Sequence, residues 1–472
     1  MASPAWRRRD VLVLLAGALT ACGGGGRRGE TTTDGGGRRV VVLGAGVAGL
    51  AAAADLNAAG FDVLILEARD RLGGRVFSDP TWSDAPVDVG ASWIHGIEDN
   101  ELYERVKAWG LETVTTDDDA RVRFDAEGER LSDAASDTLD ALLDALTTAI
   151  AEEQERRDAA DAADGSLGDF VAQYLMERGA DAATRRKLLY LLNTEIEHEY
   201  ATDADDLSLL HFDEAANEDG VDVLFPGGYS QVVARLAEGL TVQLSTVVTG
   251  VEVGASGVVV TAGTETYEAA FCVCTLPLGV LRAGRGAFDP PLSSAKQTAL
   301  KRVNAGVLDK LYLRFTEAFW TDEDQAGDAQ LIGYVGEEKG RFAEFLNLTH
   351  YTGKPILLCF NAGAYAVSLE ALDDTAVVAQ AMQTLRTLFG EDIPEPVGFV
   401  RTRWGRDPFA LGSYSHLAPG GTTADLRALA APEGRLFFAG EHTDTGDQAT
   451  VRGAYRSGLR AAAEILARVE AD

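Results

Sequence analysis

Two glycine-rich segments near opposite ends of a 472-residue chain constrain the fold more than any other feature. The first sets Gly44, Ala45, Gly46 and Gly49 directly after the apolar residues 40–43. A continuous apolar run of that length suits a strand buried on both faces. At this spacing the first glycine permits a tight turn and the second lets the backbone approach a pyrophosphate. The third allows close packing of helix on strand. A helix beginning near Gly46 would aim its N–H groups and positive dipole end at the phosphates. Its Leu/Ala-rich body has no polar face, which predicts burial. A second strand, residues 63–66, ends at Glu67, where a carboxylate would bond a ribose hydroxyl and oppose a 2′-phosphate. The second glycine segment, residues 438–462, carries Gly440, Glu441, Thr450 and Val451. Together they predict one dinucleotide gripped by both segments; a glycine turn without a ligand is the bland alternative.

Residues 1–21 read as an export address. Arg7, Arg8 and Arg9 make a basic start, and residues 11–21 are apolar but too few to cross a bilayer. Arg8-Arg9 resembles a twin-arginine signal, and Leu19-Thr20-Ala21-Cys22 resembles a bacterial lipobox that acylates Cys22; a chance cysteine is the other reading. Residues 22–37, mostly Gly, Arg and Thr, would be a flexible tether. The expectation is an exported prokaryotic lipoprotein held at a membrane through Cys22. Cys272 and Cys274 lie two apart in an apolar run and read as core thiols, so export brings no disulfide framework. The formal charge of −32, with seven lysines among 42 basic residues, excludes nucleic acid as a partner. Such a surface fits a high-salt habitat. It would also concentrate cations, over a reach that salt shortens.

The length favours two domains. Residues 98–220 are helical in character, acidic and alanine-rich, with an apolar stripe at Leu139, Leu142, Leu143, Leu146 and Ile150. Residues 166–200 read as one helix or two, broken at Gly179. Strands are predicted over 241–253, 257–261 and 271–281, the last ended by Pro277, and alternation marks 310–315. The expected division is a dinucleotide unit of 38–115, 221–295 and 396–472. A second unit of 116–220 and 296–395 would be inserted into it.

With these motifs the chain resembles the flavin-dependent amine oxidases, the superfamily of polyamine oxidases, monoamine oxidases and histone-lysine demethylases, and most of all the polyamine oxidases. The resemblance spans 39–466 and is strong at 39–96, 223–282, 304–316 and 400–462. It implies an α/β, two-domain fold: a discontinuous, doubly wound FAD-binding domain and an α+β substrate domain. It places FAD on Gly44, Ala45, Gly46 and Gly49, with Glu67 at the adenosine ribose, Arg75 near the phosphates and Arg69 also at the cofactor. Gly90, Ala91, Ser92 and Trp93 would pass the flavin, Val248 would touch adenine, and Trp404 would line the isoalloxazine. Gly440 and Glu441 would reach the pyrophosphate and ribityl chain. Thr450 and Val451 would present N–H groups to the isoalloxazine, where a helix dipole favours the negative charge of reduced flavin. Covalent relatives carry cysteine where this chain has Ser413, which implies non-covalent FAD.

Lys310 matches a family lysine that holds a water beside flavin N5; a surface lysine is the alternative. His95 would order a substrate amine or water, or be a satisfied core residue. Tyr414 is a candidate wall of an aromatic cage, or a plain core tyrosine. Glu195, Glu197 and Glu199 fall where relatives read distal ammonium groups, and equally where an acidic surface would be solvated. The implied reaction is oxidation of a small cationic amine, of spermine or spermidine type. A hydride passes to flavin N5, the imine is hydrolysed, and molecular oxygen becomes hydrogen peroxide. Alternatives are an L-amino-acid or monoamine oxidase, a quinone-linked amine dehydrogenase, and a non-catalytic surface binding lipoprotein.

Overall fold

The computed structural model describes residues 38–215 and 220–471. The expected export signal, tether and Cys22 lie outside the described residues.

The near glycine segment builds the centre of a five-stranded parallel sheet. Its order is Leu436–Phe438, Phe271–Cys274, Arg39–Leu43, Asp62–Leu66 and Thr241–Gln243. Val40, Val41, Val42 and Leu43 are fully buried, as a middle strand covered on both faces requires. Gly44 then turns with φ +104°, a conformation that penalises any side chain. Helix Val47–Ala58 follows, its residues 47–53 all buried. A Cβ at Gly49 would fall 2.0 Å from Gly44 O, so only glycine lets this helix sit on its turn. Helix Val451–Ala471 crosses it as closely, since a Cβ at Gly458 would lie 2.2 Å from Ala48 O.

Two strand expectations change. Residues 271–281 are not one strand: the strand ends at Cys274, and Pro277 opens the short helix Leu278–Arg282. Proline has no N–H for a ladder, and its fixed φ suits a helix start. Residues 241–253 divide into Thr241–Gln243 and Gly250–Val253, which lie in different sheets. Between them Ser245 takes φ +53°, its N–H donates to Arg69 O, and Thr246 N–H donates to Glu67 O. The break is where the chain passes the end of strand Asp62–Leu66.

The second layer is a six-stranded mixed sheet. Its order is Gly398–Arg401, Leu308–Arg314, Ile356–Ala362, Glu344–Asn347, Leu331–Tyr334 and Arg121–Phe124. Strand Leu308–Arg314 alternates in sequence yet is buried on both faces. Leu311 and Leu313 join a core with Trp320, Phe345 and Leu385, whereas Tyr312 packs with Val87, Leu346 and Phe360 on the other side. Gly398–Arg401 pairs antiparallel with Leu308–Arg314. Residues 398–401, grouped by sequence with the dinucleotide unit, therefore belong to this sheet.

Helices Asp133–Ala159, Leu167–Glu177 and Ala182–Leu192 cover its far end, with Gly179 at φ +58° between the last two. Leu139, Leu146 and Ile150 of the expected stripe are fully buried, each contributing about 1.5–3 kcal/mol. Helix Ala182–Leu192 runs into a π-helical turn, Asn193–Glu197, then one α-helical turn, His198–Tyr200, stopped by left-handed Ala201. Such wide turns mark functional sites more often than chance.

Candidate active site

A cavity of about 470 Å³ runs between the two layers. One end is walled by Gly46, Gly73, Gly74, Arg75, Gly90, Ala91 and Ser92, and by Gly440, Glu441, Thr450 and Val451. Glycine makes this wall thin. Gly74 has φ +58°, and a Cβ at Gly90 would fall 1.8 Å from Arg75 O. Arg75 donates to Glu441 Oε1 at 2.9 Å and to Ser413 O at 2.9 Å. Burial alone would raise the Glu441 carboxyl, but Arg75 and a hydrogen bond from Ser415 hold it below the usual range. Helix Val451–Ala471 begins at this wall with the positive end of its dipole. A thin glycine cradle, a guanidinium and a helix N-terminus fit a flavin dinucleotide.

Other residues assigned to the cofactor lie behind the wall and shape it. Both Glu67 oxygens accept backbone N–H groups, from Ala45 at 2.7 Å and Arg69 at 2.8 Å, which pins the glycine turn. Arg69 forms a two-pronged ion pair with Asp407, with its guanidinium 5.9 Å from the Trp404 ring and 5.6 Å from Phe409. Val248 packs on the core beneath the parallel sheet.

Lys310 reaches the cavity from strand Leu308–Arg314. Its Nζ donates to Asp88 O at 3.0 Å, Gly90 O at 2.6 Å and Ser92 Oγ at 2.5 Å. Tyr312 OH donates to the same Asp88 O. Burial pulls the lysine down and pushes the neighbouring Asp88 carboxyl up, each charge partly offsetting the other's shift. Trp404 also lines the cavity, and its Nε1–H donates to Val89 O at 2.9 Å. Ser413 Oγ accepts from Leu308 N–H and donates to Leu308 O.

Past Lys310 the wall becomes aromatic, then acidic. Trp93 and His198 stand 5.9 and 6.1 Å from the Phe360 ring. Tyr414 lines the cavity and donates its OH to His198 O. Beyond lie Asp118, Glu195, Glu199, Asp222 and Glu344. Asp222 takes His95 Nδ1 at 2.7 Å and Gly96 N–H at 2.9 Å, which keep its carboxyl low against burial. Arg121 donates to Glu195 Oε1 at 2.6 Å. Burial pushes Glu344 up to about 8, beyond what Arg121 restores, and pushes Asp118 up as well. Burial also pulls His198 down to about 4, so its imidazole is neutral.

The structure thus brings His95, Tyr414, Glu195 and Glu199 to one cavity with Lys310. It does not bring Glu197. That side chain is buried, accepting from Ala204 N–H at 2.9 Å, Lys339 Nζ at 2.7 Å and Asn193 Nδ2 at 3.0 Å. Residues four apart share a helix face and residues two apart do not, so Glu195 and Glu199 point one way and Glu197 the other. Sequence reasoning missed Asp118, Arg121, His198, Asp222, Glu344 and Phe360. One signal was available: Glu344 is a lone acid in the apolar residues 342–346.

The family model described as flavin containing amine oxidoreductase matches residues 47–466. Polyamine oxidase 4 of Oryza sativa subsp. japonica is 35% identical over 451 residues, covering 91% of this chain and 88% of that protein. Lysine-specific histone demethylase 1 homolog 1 of Arabidopsis thaliana is 35% identical over 442 residues, 90% of this chain and 52% of that one. The chain therefore spans about half the length of that relative. Among solved structures, wild-type putrescine oxidase bound to putrescine superposes with a TM-score of 0.73 at 24% identity, over 91% of this chain and 99% of the other. That likeness is one of fold. Cradle, cavity and sequence match agree: the chain belongs to the flavin-containing amine oxidoreductases.

Proposed function

We propose that the protein is an FAD-dependent oxidase of polyamines, acting on a substrate with a second ammonium beyond the reacting nitrogen and releasing hydrogen peroxide. The observation that carries this reading is the chamber beyond Lys310. Five acids wall it, and its one guanidinium, Arg121, is committed to Glu195. Partial burial strengthens the pull of the ionised members of this set on a cation. Trp93, Phe360 and Tyr414 line the approach, and aromatic rings there favour a cation as well. FAD, when bound, supplies the two-electron acceptor. The chain's own residues orient the amine, exclude water and hold protons. A water held by Lys310 would take the place of one of its three present acceptors, Asp88 O, Gly90 O or Ser92 Oγ.

Non-covalent FAD is supported by Ser413, a hydroxyl engaged with Leu308, and by the absence of cysteine from the cavity wall among the described residues. An L-amino-acid substrate would set its carboxylate among acids, with no free guanidinium opposite. Ahead of residue 38, export and anchoring through Cys22 rest on the sequence motifs; Cys22→Ser should then move the protein from the membrane fraction to the soluble one. The test of function is peroxide release from spermine, spermidine, putrescine, monoamines and amino acids, at low and high salt. Polyamines should lead. A preparation without flavin absorbance, or one oxidising only monoamines, overturns the reading.

A further inference from the structure

Behind the cavity wall two acids face each other. Asp309 precedes Lys310 in strand Leu308–Arg314, and Glu370 ends helix Gly363–Glu370; both are buried. Asp309 Oδ1 accepts from Thr402 Oγ1 at 2.7 Å and from Trp404 N–H at 3.0 Å. Glu370 Oε1 accepts from the next amide, Gly405 N–H, at 2.6 Å. The two carboxyls thus hold consecutive amides of the loop that puts Trp404 into the cavity. Asp309 Oδ2 is buried with no N–H or O–H donor when both acids are ionised. The Asp309 and Glu370 carboxyls are within hydrogen-bond reach of each other, and two carboxyls can bond only when one of them carries a proton. A proton between them satisfies the orphan oxygen and removes the repulsion of two buried like charges.

We propose that Asp309 and Glu370 share one proton and act as a positioning pair for Trp404, holding its loop tight when the proton is present and slackening it when the proton is lost. Neither acid lines the cavity, so both act through Trp404 and its bond to Val89 O. Thr402 Oγ1 also accepts from Lys310 N–H at 2.8 Å, so the same pair steadies the lysine's strand. The other charges here are Arg406, with Nε 3.8 Å from Glu370, and Arg401 and Arg403, which both pair with Asp374. Burial, then Asp309, pushes Glu370 up to about 7, and burial pushes Asp309 up too. A carboxyl raised in the folded state adds stability that is fully present below its unfolded value. That stability is lost as pH rises through the folded one. The slackening should therefore fall between about pH 4.5 and pH 7 or just above.

This inference rests on flavin occupying the cavity but not on which amine is oxidised, and its test uses no substrate. Flavin released from the holoprotein is followed by its fluorescence from pH 5 to pH 8.5, beside the thermal unfolding midpoint. In the native protein, retention should weaken about tenfold across the window, the worth of one pKa unit. Glu370→Gln keeps a hydrogen-bond donor without an ionisation and should flatten both curves. Asp309→Asn, which can donate to an ionised Glu370, should flatten them above pH 5 and decides the matter if Glu370→Gln does not fold. A purely structural role would lower retention equally at every pH. No step in the native protein, or the same step in the variants, overturns the proposal.

Discussion

At the glycine end of the cavity the wall is backbone, and its shape comes from side chains that are missing at Gly46, Gly74 and Gly90. At the chamber end the wall is side chain, and its character comes from five acids set against one guanidinium. Backbone walls hold shape and tolerate no added atom. Charged walls hold potential, and tolerate exchange so long as the sum of charge survives. One end is therefore suited to a fixed cofactor and the other to substrates of varied length.

The largest effect should come from filling the backbone wall's support. Gly49→Val puts a branched side chain where a Cβ already lies 2.0 Å from Gly44 O. Protein purified with this change should carry no flavin absorbance; a yellow preparation would break the contrast at its geometric end. Next, at the junction, Lys310→Met should slow turnover by at least about 10²-fold, the usual worth of a positioned proton-handling group. Flavin should stay bound, and stopped-flow traces would separate the two outcomes.

In the chamber, Glu344→Gln should raise KM for putrescine or spermine by about tenfold above pH 8, where the native carboxyl is ionised, the scale of one hydrogen-bonded charge contact, with the flavin spectrum unchanged. A pH series sharpens this. The Glu344 carboxyl is raised to about 8, so it gains charge as pH climbs toward 8. Native KM for a dication should fall over that range, while the Gln variant stays flat. The same shift costs native stability as pH rises from the ordinary carboxyl range to about 8, because the folded state holds the proton longer. Thermal melts of the variant should lack that slope. The smallest kinetic effect belongs to Glu197→Gln. It should leave KM unchanged and cost about 1–3 kcal/mol of stability through its buried partners. A raised KM there would return Glu197 to the chamber.

The cradle was legible because glycine spacing is a statement about backbone, and backbone needs no distant partner to be read. Gly44, Gly46 and Gly49 announce a turn, an approach and a packing contact within six residues. The chamber was legible only in part. Asp118, Glu195, Asp222 and Glu344 come from four separate stretches, and in a chain with 74 acids no single one stands out. Glu195, Glu197 and Glu199 are offered together by the resemblance, and only the helical period separates Glu197, which faces Ala204, Lys339 and Asn193, from the other two. Lys310 was visible because residues 306–315 resemble the family strand that carries such a lysine, and the scarcity of lysine here added slightly to that. The burial of strand Leu308–Arg314 on both faces was hidden, since its alternation marks two different cores rather than core and water.

The close crossing at Gly458 and Ala48 has a consequence for how the molecule is made. The central strand emerges from the ribosome early, but one neighbour arrives with residues 271–274, and the helix packed on its own helix comes only with residues 451–471. Gly440, Glu441, Thr450 and Val451 are supplied equally late. For most of translation the nascent chain has an apolar strand and helix without cover and no closed pocket for FAD. FAD can therefore be enclosed only after residues 440–451 have been made and have folded against the glycine turn.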